Sequence, residues 1–232
     1  MNDMMNTSVT PEMLQEKDRE INELNDTITE QERKLKRHHR VSENGRFKSN
    51  GDLISKIRDL KRPIAMRYVF SQSSKDTPMS LDLGECFKNY LNDVFEKLDR
   101  FMSRYGKIDT YEWVGPDEYK YEPIEDTYDG LSQQELADEL SKKDAIISDK
   151  KETIAMFNEF LDEVDQWERF KYRVRRTDSD LVQIRIRVEK AANMKMDLEL
   201  AEWYRNAFFT TVDYLYKELD LKEACEEFRE FM

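Results

Sequence analysis

Two hundred and thirty-two residues, 38% apolar and 38% charged with a net charge of −12, can build a core but not a generous one. Six glycines and five prolines supply too little turn chemistry for a sandwich, a barrel or a many-turned α/β fold. The expected class is therefore mainly α: a long-helix bundle with an N-terminal coiled-coil-like helix and one small β-hairpin.

Thr10-Pro11-Glu12 opens the first helix, with Thr10 placed to cap and Pro11 at the first helical position, where its missing N–H costs nothing. This helix should run to about Arg40. Leu14, Ile21, Ile28 and Leu35 recur every seven residues, Leu24 takes the alternate seam position, and Lys17 and Gln31 interrupt it. So narrow a stripe calls for another copy of the chain or a long partner helix rather than a broad core. Residues 1–40 are thus expected to form a projecting amphipathic helix, and Val41 to Gly51 (VSENGRFKSNG) a linker. Residues 52–232 form the expected helical body.

Within that body, a short helix over Asp52 to Leu60 should stop before Pro63, with a short strand at Ile64 to Phe70 and a loop at Ser71 to Pro78. Asp82 and Glu85 have the spacing of a capping box, Gly106 marks the far end, and Phe87, Leu91, Val94, Leu98, Phe101 and Tyr105 give a core-forming face. Residues 109–129 lack a helical period. They set Tyr111, Trp113, Tyr119 and Tyr121 among eight carboxylates, which suits either docking into a basic groove or an aromatic cover for the core.

Ser132 and Glu135 form a full capping box before a second heptad run. Leu136, Leu140, Ile147, Ile154, Phe157, Leu161 and Val164 follow alternating steps of four and three, with Lys143 and Lys150 in the seam. A helix over 133–167 is expected. From Arg169 the period changes to two: Phe170, Tyr172 and Val174 alternate with Arg169, Lys171, Arg173 and Arg175. After a polar stretch, Val182, Ile184, Ile186 and Val188 alternate with Arg185 and Arg187. The spacing predicts a β-hairpin over residues 169–188 with one basic face, in preference to a helical hairpin. Helix returns from as early as Ala191, restarts near Asp220, and buries Cys225.

Two cysteines and two adjacent histidines, His38 and His39, leave no catalytic dyad, no zinc set and no disulfide framework. No phosphate-loop, dinucleotide or metalloprotease motif occurs either, so no cofactor, metal ligand or catalytic residue is expected, and the chain reads as a non-enzyme. No window approaches the ~20 apolar residues of a membrane span, and the first residues lack the parts of a secretory signal. The expected setting is the cytoplasm or the inside of an assembled particle.

The charge runs in blocks: −7 over residues 1–32, +6 over 33–48, +3 over 49–108, −14 over 109–168, +5 over 169–190 and −5 over 191–232. Blocks of opposite sign favour charge-matched assembly. The leading expectation is a structural protein that oligomerises and bridges subunits of a larger complex such as a ring, a connector or a phage-like particle. The alternatives are a nucleic-acid-binding regulator that uses Arg169, Lys171, Arg173, Arg175, Arg185 and Arg187, or an acidic nucleic-acid mimic that occupies a protein partner.

Overall fold

The computed structural model describes residues 8–38, 47–48, 52–106, 111–112 and 128–229, with 35–38, 47–48, 52 and 111–112 described by backbone alone. Among these residues lie seven α-helices: α1 (Pro11–His38), α2 (Asp52–Ser71), α3 (Leu81–Tyr105), α4 (Gln133–Asp180), α5 (Val182–Ala191), α6 (Leu198–Glu218) and α7 (Lys222–Arg229). Among the described residues, strand is confined to the two-residue pieces Phe47–Lys48 and Tyr111–Glu112. The chain divides by contact into two units. One is Met1–Val41 with Thr110–Asp162, the other Ser42–Asp109 with Glu163–Met232, and α4 contributes to both.

The first unit is a parallel pair of helices. The capping box forms as its spacing predicts: the Ser132 N–H donates to Glu135 Oε2 at 2.8 Å and the Glu135 N–H donates to Ser132 Oγ at 3.3 Å. Four contacts then fix the register of α4 on α1. Lys17 pairs with Asp144 at 3.0 Å, Lys143 with Asp18 at 2.5 Å, Lys151 with Glu20 at 2.7 Å, and Gln31 donates to Asn158 at 2.6 Å. Residue numbers rise together along both helices, so the pair is parallel. This register sets Leu14 level with Leu140, Ile21 with Ile147 and Ile28 with Ile154, and it makes Glu20 with Lys151 the flanking ion pair expected of a two-stranded coiled coil. Leu14, Ile21, Ile28, Ile147 and Phe157 are buried. At the open end of the pair, Tyr128 and Leu136 close over Leu14.

The second unit has a broad aromatic core. α3 and α6 cross so closely at Gly84 that a Cβ there would lie 2.4 Å from the Ala201 Cβ. Around this crossing Phe87 packs on Phe208 and Phe209, with ring centroids 5.5 and 5.6 Å away. The α4 portion adds Trp167 and Phe170, whose rings stand 5.5 and 5.6 Å from Phe101. α3 is capped by Ser80, whose Oγ accepts from the Leu83 N–H at 3.2 Å, so the helix begins ahead of the Asp82 expected to start it. Gly106 ends it in right-handed backbone at φ −63°, and a Cβ there would meet the Met102 carbonyl oxygen at 2.5 Å. Glycine is needed at that point for a close approach, not for a left-handed turn.

Two sequence expectations are overturned in this unit. Helix α2 does not stop before Pro63 but runs through it to Ser71, and no strand forms at Ile64 to Phe70. Leu53, Ile57, Leu60 and Ile64 are all buried at helical spacing. Continuous burial along that face outweighs the hydrogen bond that proline removes. The buried Glu163 also accepts from the Leu53 N–H at 3.2 Å, placing a carboxylate at the first turn of α2.

The β-hairpin at 169–188 is likewise absent: α4 continues to Asp180 and α5 follows from Val182. Across the junction the Leu181 N–H still donates to the Thr177 carbonyl at 3.0 Å, and the Arg185 N–H to the Leu181 carbonyl at 3.1 Å. Trp167, Phe170, Lys171, Val174, Thr177, Leu181 and Val188 are buried. Residues that a strand would have turned inward face outward instead: Tyr172 is 67%, Val182 43% and Ile186 38% exposed. The 3.6-residue period prevails because the core offers a cylindrical slot beside α3, not an open sheet edge.

Helix α6 is capped by Asp197, whose Oδ1 accepts from the Leu200 N–H at 2.8 Å; it therefore starts later than Ala191. It ends in a Schellman motif: the Asp220 N–H donates to the Lys217 carbonyl at 3.3 Å and the Leu221 N–H to the Tyr216 carbonyl at 3.0 Å. Asp220 takes φ +52° to close this turn, and the buried Leu219 and Leu221 hold it down.

Candidate functional site

Three arrangements of polar side chains stand out once the helices are in place. In the first unit, Asp18 receives two donors: the Tyr128 hydroxyl and, at 2.5 Å, Lys143 Nζ. The ammonium also lies 5.4 Å from the centre of the Tyr128 ring. All three residues are buried. Burial and the bond to Asp18 push the Tyr128 hydroxyl above its ordinary value. Burial acts to lower the Lys143 ammonium, but the hydrogen bonds to Asp18 and Tyr128 more than reverse that and raise it. Such a satisfied charge cluster inside a coiled coil is a register key: a shifted pairing would strand Lys143 or Asp18 in the seam.

The second arrangement is the set of basic residues expected to line one face of a hairpin. On a helix they part company. Lys171 is buried beside Glu168 at 2.8 Å, and Arg175 donates to the Gly106 carbonyl at the end of α3. Arg185 is held between Asp99 and Asp178, each at 2.7 Å, with its guanidinium 4.6 Å from the centre of the Phe95 ring. Arg187 lies over Trp203 at 4.5 Å. Only Arg169 and Arg173, one turn apart on α4, share a surface, and Arg169 pairs with Asp165 at 2.5 Å.

That surface belongs to the third arrangement, a recess of about 420 Å³ walled by α2, α4 and α7. Arg58 and Lys61 come from α2, Arg169, Phe170 and Arg173 from α4, and Asp220, Glu223 and Glu227 from the far wall. Lys61 Nζ donates to the Asp220 carbonyl at 3.0 Å and lies 5.8 Å from the Phe170 ring centre. Burial and the neighbouring Arg173 charge lower its pKa, against the pull of Asp220 and Glu223. Glu227 is engaged by Arg62 at 3.2 Å.

Of the expected partner helix, Leu14, Ile21 and Ile28 are buried, Leu24 is half-buried, and the Leu35 side chain lies outside the described residues. Trp113, Tyr119, Tyr121 and the Tyr111 side chain also lie outside them, as does the linker at 41–51 apart from the backbone of Phe47–Lys48. Cys225 is buried and burial raises its thiol, while Cys86 is exposed. Among the described residues no group of three or more His, Cys, Asp or Glu side chains could hold a metal ion, and no helix is long and apolar enough to cross a membrane.

No protein family, curated protein or solved structure matches the chain.

Sequence reasoning missed the triad and the recess. Lys143 stood out only as an interruption of the seam and Asp18 not at all. The signal was the phase shared by two heptad runs: aligning Leu14 with Leu140 brings Asp18 beside Lys143 and Lys151 within reach of Glu20. The recess left no comparable mark, since Arg58 and Arg173 are 115 residues apart and meet only through packing.

Proposed function

We propose that the protein is a non-enzymatic assembly protein that joins other protein subunits, with the acidic coiled coil of α1 and the first part of α4 as its docking element. The observation behind this reading is the partition of charge. Met1–Val41 and Thr110–Asp162 together hold 12 basic and 24 acidic residues, whereas the other unit holds 26 of each, so the whole net charge of −12 falls in the first unit, with −6 of it on α1 and residues 133–162 of α4. Glu16, Glu23 and Asp26 on α1, and Asp149, Glu152 and Glu159 on α4, are exposed and make no ion pair among the described residues. A surface of that kind steers toward, and is neutralised by, a basic protein surface. Self-association along Leu14, Ile21 and Ile28 is not required, because α4 already covers that seam.

The test is capture from the native source with the wild-type chain and with a variant carrying Glu16→Gln, Glu23→Gln, Asp26→Asn, Glu152→Gln and Glu159→Gln. The expected partner is a basic protein, retained by wild type at low salt, released at about 0.5 M salt where exposed charges are screened, and not retained by the variant. Identical capture by both chains would refute the docking role. Competition by duplex DNA for the captured partner would identify it as a nucleic-acid-binding protein and make the coiled coil a mimic of that ligand.

A further inference from the structure

We infer that the recess between α2, α4 and α7 is a binding site for a small phosphomonoester whose body carries an amine or hydroxyl donor. The inference is independent of the docking role, since every residue it uses lies in the other unit. Four cationic side chains, Arg58, Lys61, Arg169 and Arg173, line the α2 and α4 walls. Two of them have structural duties: Arg169 pairs with Asp165, and Lys61 is tied to the Asp220 carbonyl. Arg58 and Arg173 make no ion pair among the described residues although Glu223 lines the same recess. Cationic and acidic side chains thus line one recess.

The cavity of about 420 Å³ sits within the ordinary range of small-ligand sites and far exceeds the needs of a bare oxyanion. A ligand that fills it therefore needs a body as well as an anionic end. Guanidinium forks are the natural grip for that end, since two arginines present planar pairs of donors to phosphate oxygens. Lys61, partly buried, adds a charge where attraction to an anion is stronger than at the open surface. Glu223, and Glu227 beside its Arg62 partner, line the α7 side of the recess and would accept from an ammonium or hydroxyl group. Ile54, Ile57 and Phe170 add apolar lining. Asp220 holds left-handed backbone at the rim, so the carbonyl that positions Lys61 is set by the Schellman turn and not by a mobile loop.

The experiment is a chemical-shift titration of the full chain at low ionic strength with O-phosphoserine, inorganic phosphate and serine. Saturable shifts are expected at the amides around Arg58, Lys61, Arg173 and Glu223, with O-phosphoserine binding more tightly than inorganic phosphate and serine producing none. Arg58→Gln with Arg173→Gln should weaken O-phosphoserine at least tenfold. Both side chains are exposed, so the fold should survive, and an unchanged amide spectrum outside the recess checks this. Glu223→Gln should leave inorganic phosphate binding intact or stronger and weaken O-phosphoserine. No saturable binding by about 10 mM, where any affinity would be too weak for a dedicated site, or shifts centred elsewhere, or affinity unchanged in the double variant, would overturn the assignment.

Discussion

One helix, α4, is built by two different rules along its length. From Leu136 to Phe157 it presents a two-residue-wide seam in which apolar layers alternate with Lys143 and Lys150, and its neighbour is a single helix. From Glu163 to Asp180 it turns Trp167, Phe170, Val174 and Thr177 toward several helices at once, with Glu163 and Lys171 the buried charges of that stretch. A narrow seam cannot bury enough surface to tolerate error, so its register is keyed by charge. A broad aromatic core specifies itself by shape.

The largest effect should come from the core side. Trp167→Ala removes a fully buried indole packed on Phe101 and Tyr105 and should cost about 3–5 kcal/mol. Denaturant unfolding measures this loss, and hydrogen exchange should place it in the second unit. Asp18→Ala is the matching break in the coiled coil. It leaves the Lys143 charge buried without its carboxylate and removes the acceptor of the Tyr128 hydroxyl, at about 3–5 kcal/mol. The triple change Asp18→Leu, Lys143→Leu and Tyr128→Phe should recover most of that stability while letting the register slip, which cysteine cross-linking between α1 and α4 would read. Full stability loss in the triple variant would show that the triad does more than key the register.

Gly84→Ala tests the shape rule directly. A methyl forced against Ala201 should cost about 1–3 kcal/mol, and pairing it with Ala201→Gly should restore most of this in a double-mutant cycle. Alkaline pH should weaken both units. Tyr128, Lys143 and Tyr214, the last pushed up to about 12 by its bond to Asp180, all have raised pKa values. A raised value means that stability is complete below the unfolded pKa, near 10, and is lost as pH climbs toward the folded one. Tyr128→Phe should flatten that decline in the coiled coil, and Tyr214→Phe in the body, when helicity is followed from pH 9 to 12. The smallest change expected is Asp220→Gly, which relieves left-handed backbone and should alter stability by no more than about 1 kcal/mol, in the stabilising direction. A raised midpoint of thermal unfolding is the expected result.

The legibility of this fold follows the same division. The seam of α1, the capping box at Ser132 and the aromatic face of α3 were readable because each is a local pattern whose physics is complete within a few turns. Residues 169–188 misled because arginines alternating with β-branched and aromatic side chains satisfy a two-residue period by composition, and residues 64–70 because a short apolar run just after a proline reads as a strand. Burial against α3 then selected the helical subset of the same residues: Phe170, Val174 and Val188 turned in, while Tyr172, Val182 and Ile186 were left outside. Pro63 misled for the converse reason, a local penalty overruled by a continuous buried face. The recess was not legible at all, because it depends on which helices become neighbours.

The parallel pairing of α1 with α4 also has a consequence in time. Leu14 leaves the ribosome 126 residues before Leu140 does. At roughly 5–20 residues per second that is a wait of about 6–25 s. Throughout it the apolar stripe of α1 has no partner in its own chain, and its nearest equivalents are the same stripes on neighbouring nascent chains. Lys17, which looks like a flaw in the finished seam, would then set like charge against like charge in any premature parallel dimer, holding α1 available until the one helix carrying Lys143 and Asp144 has been made.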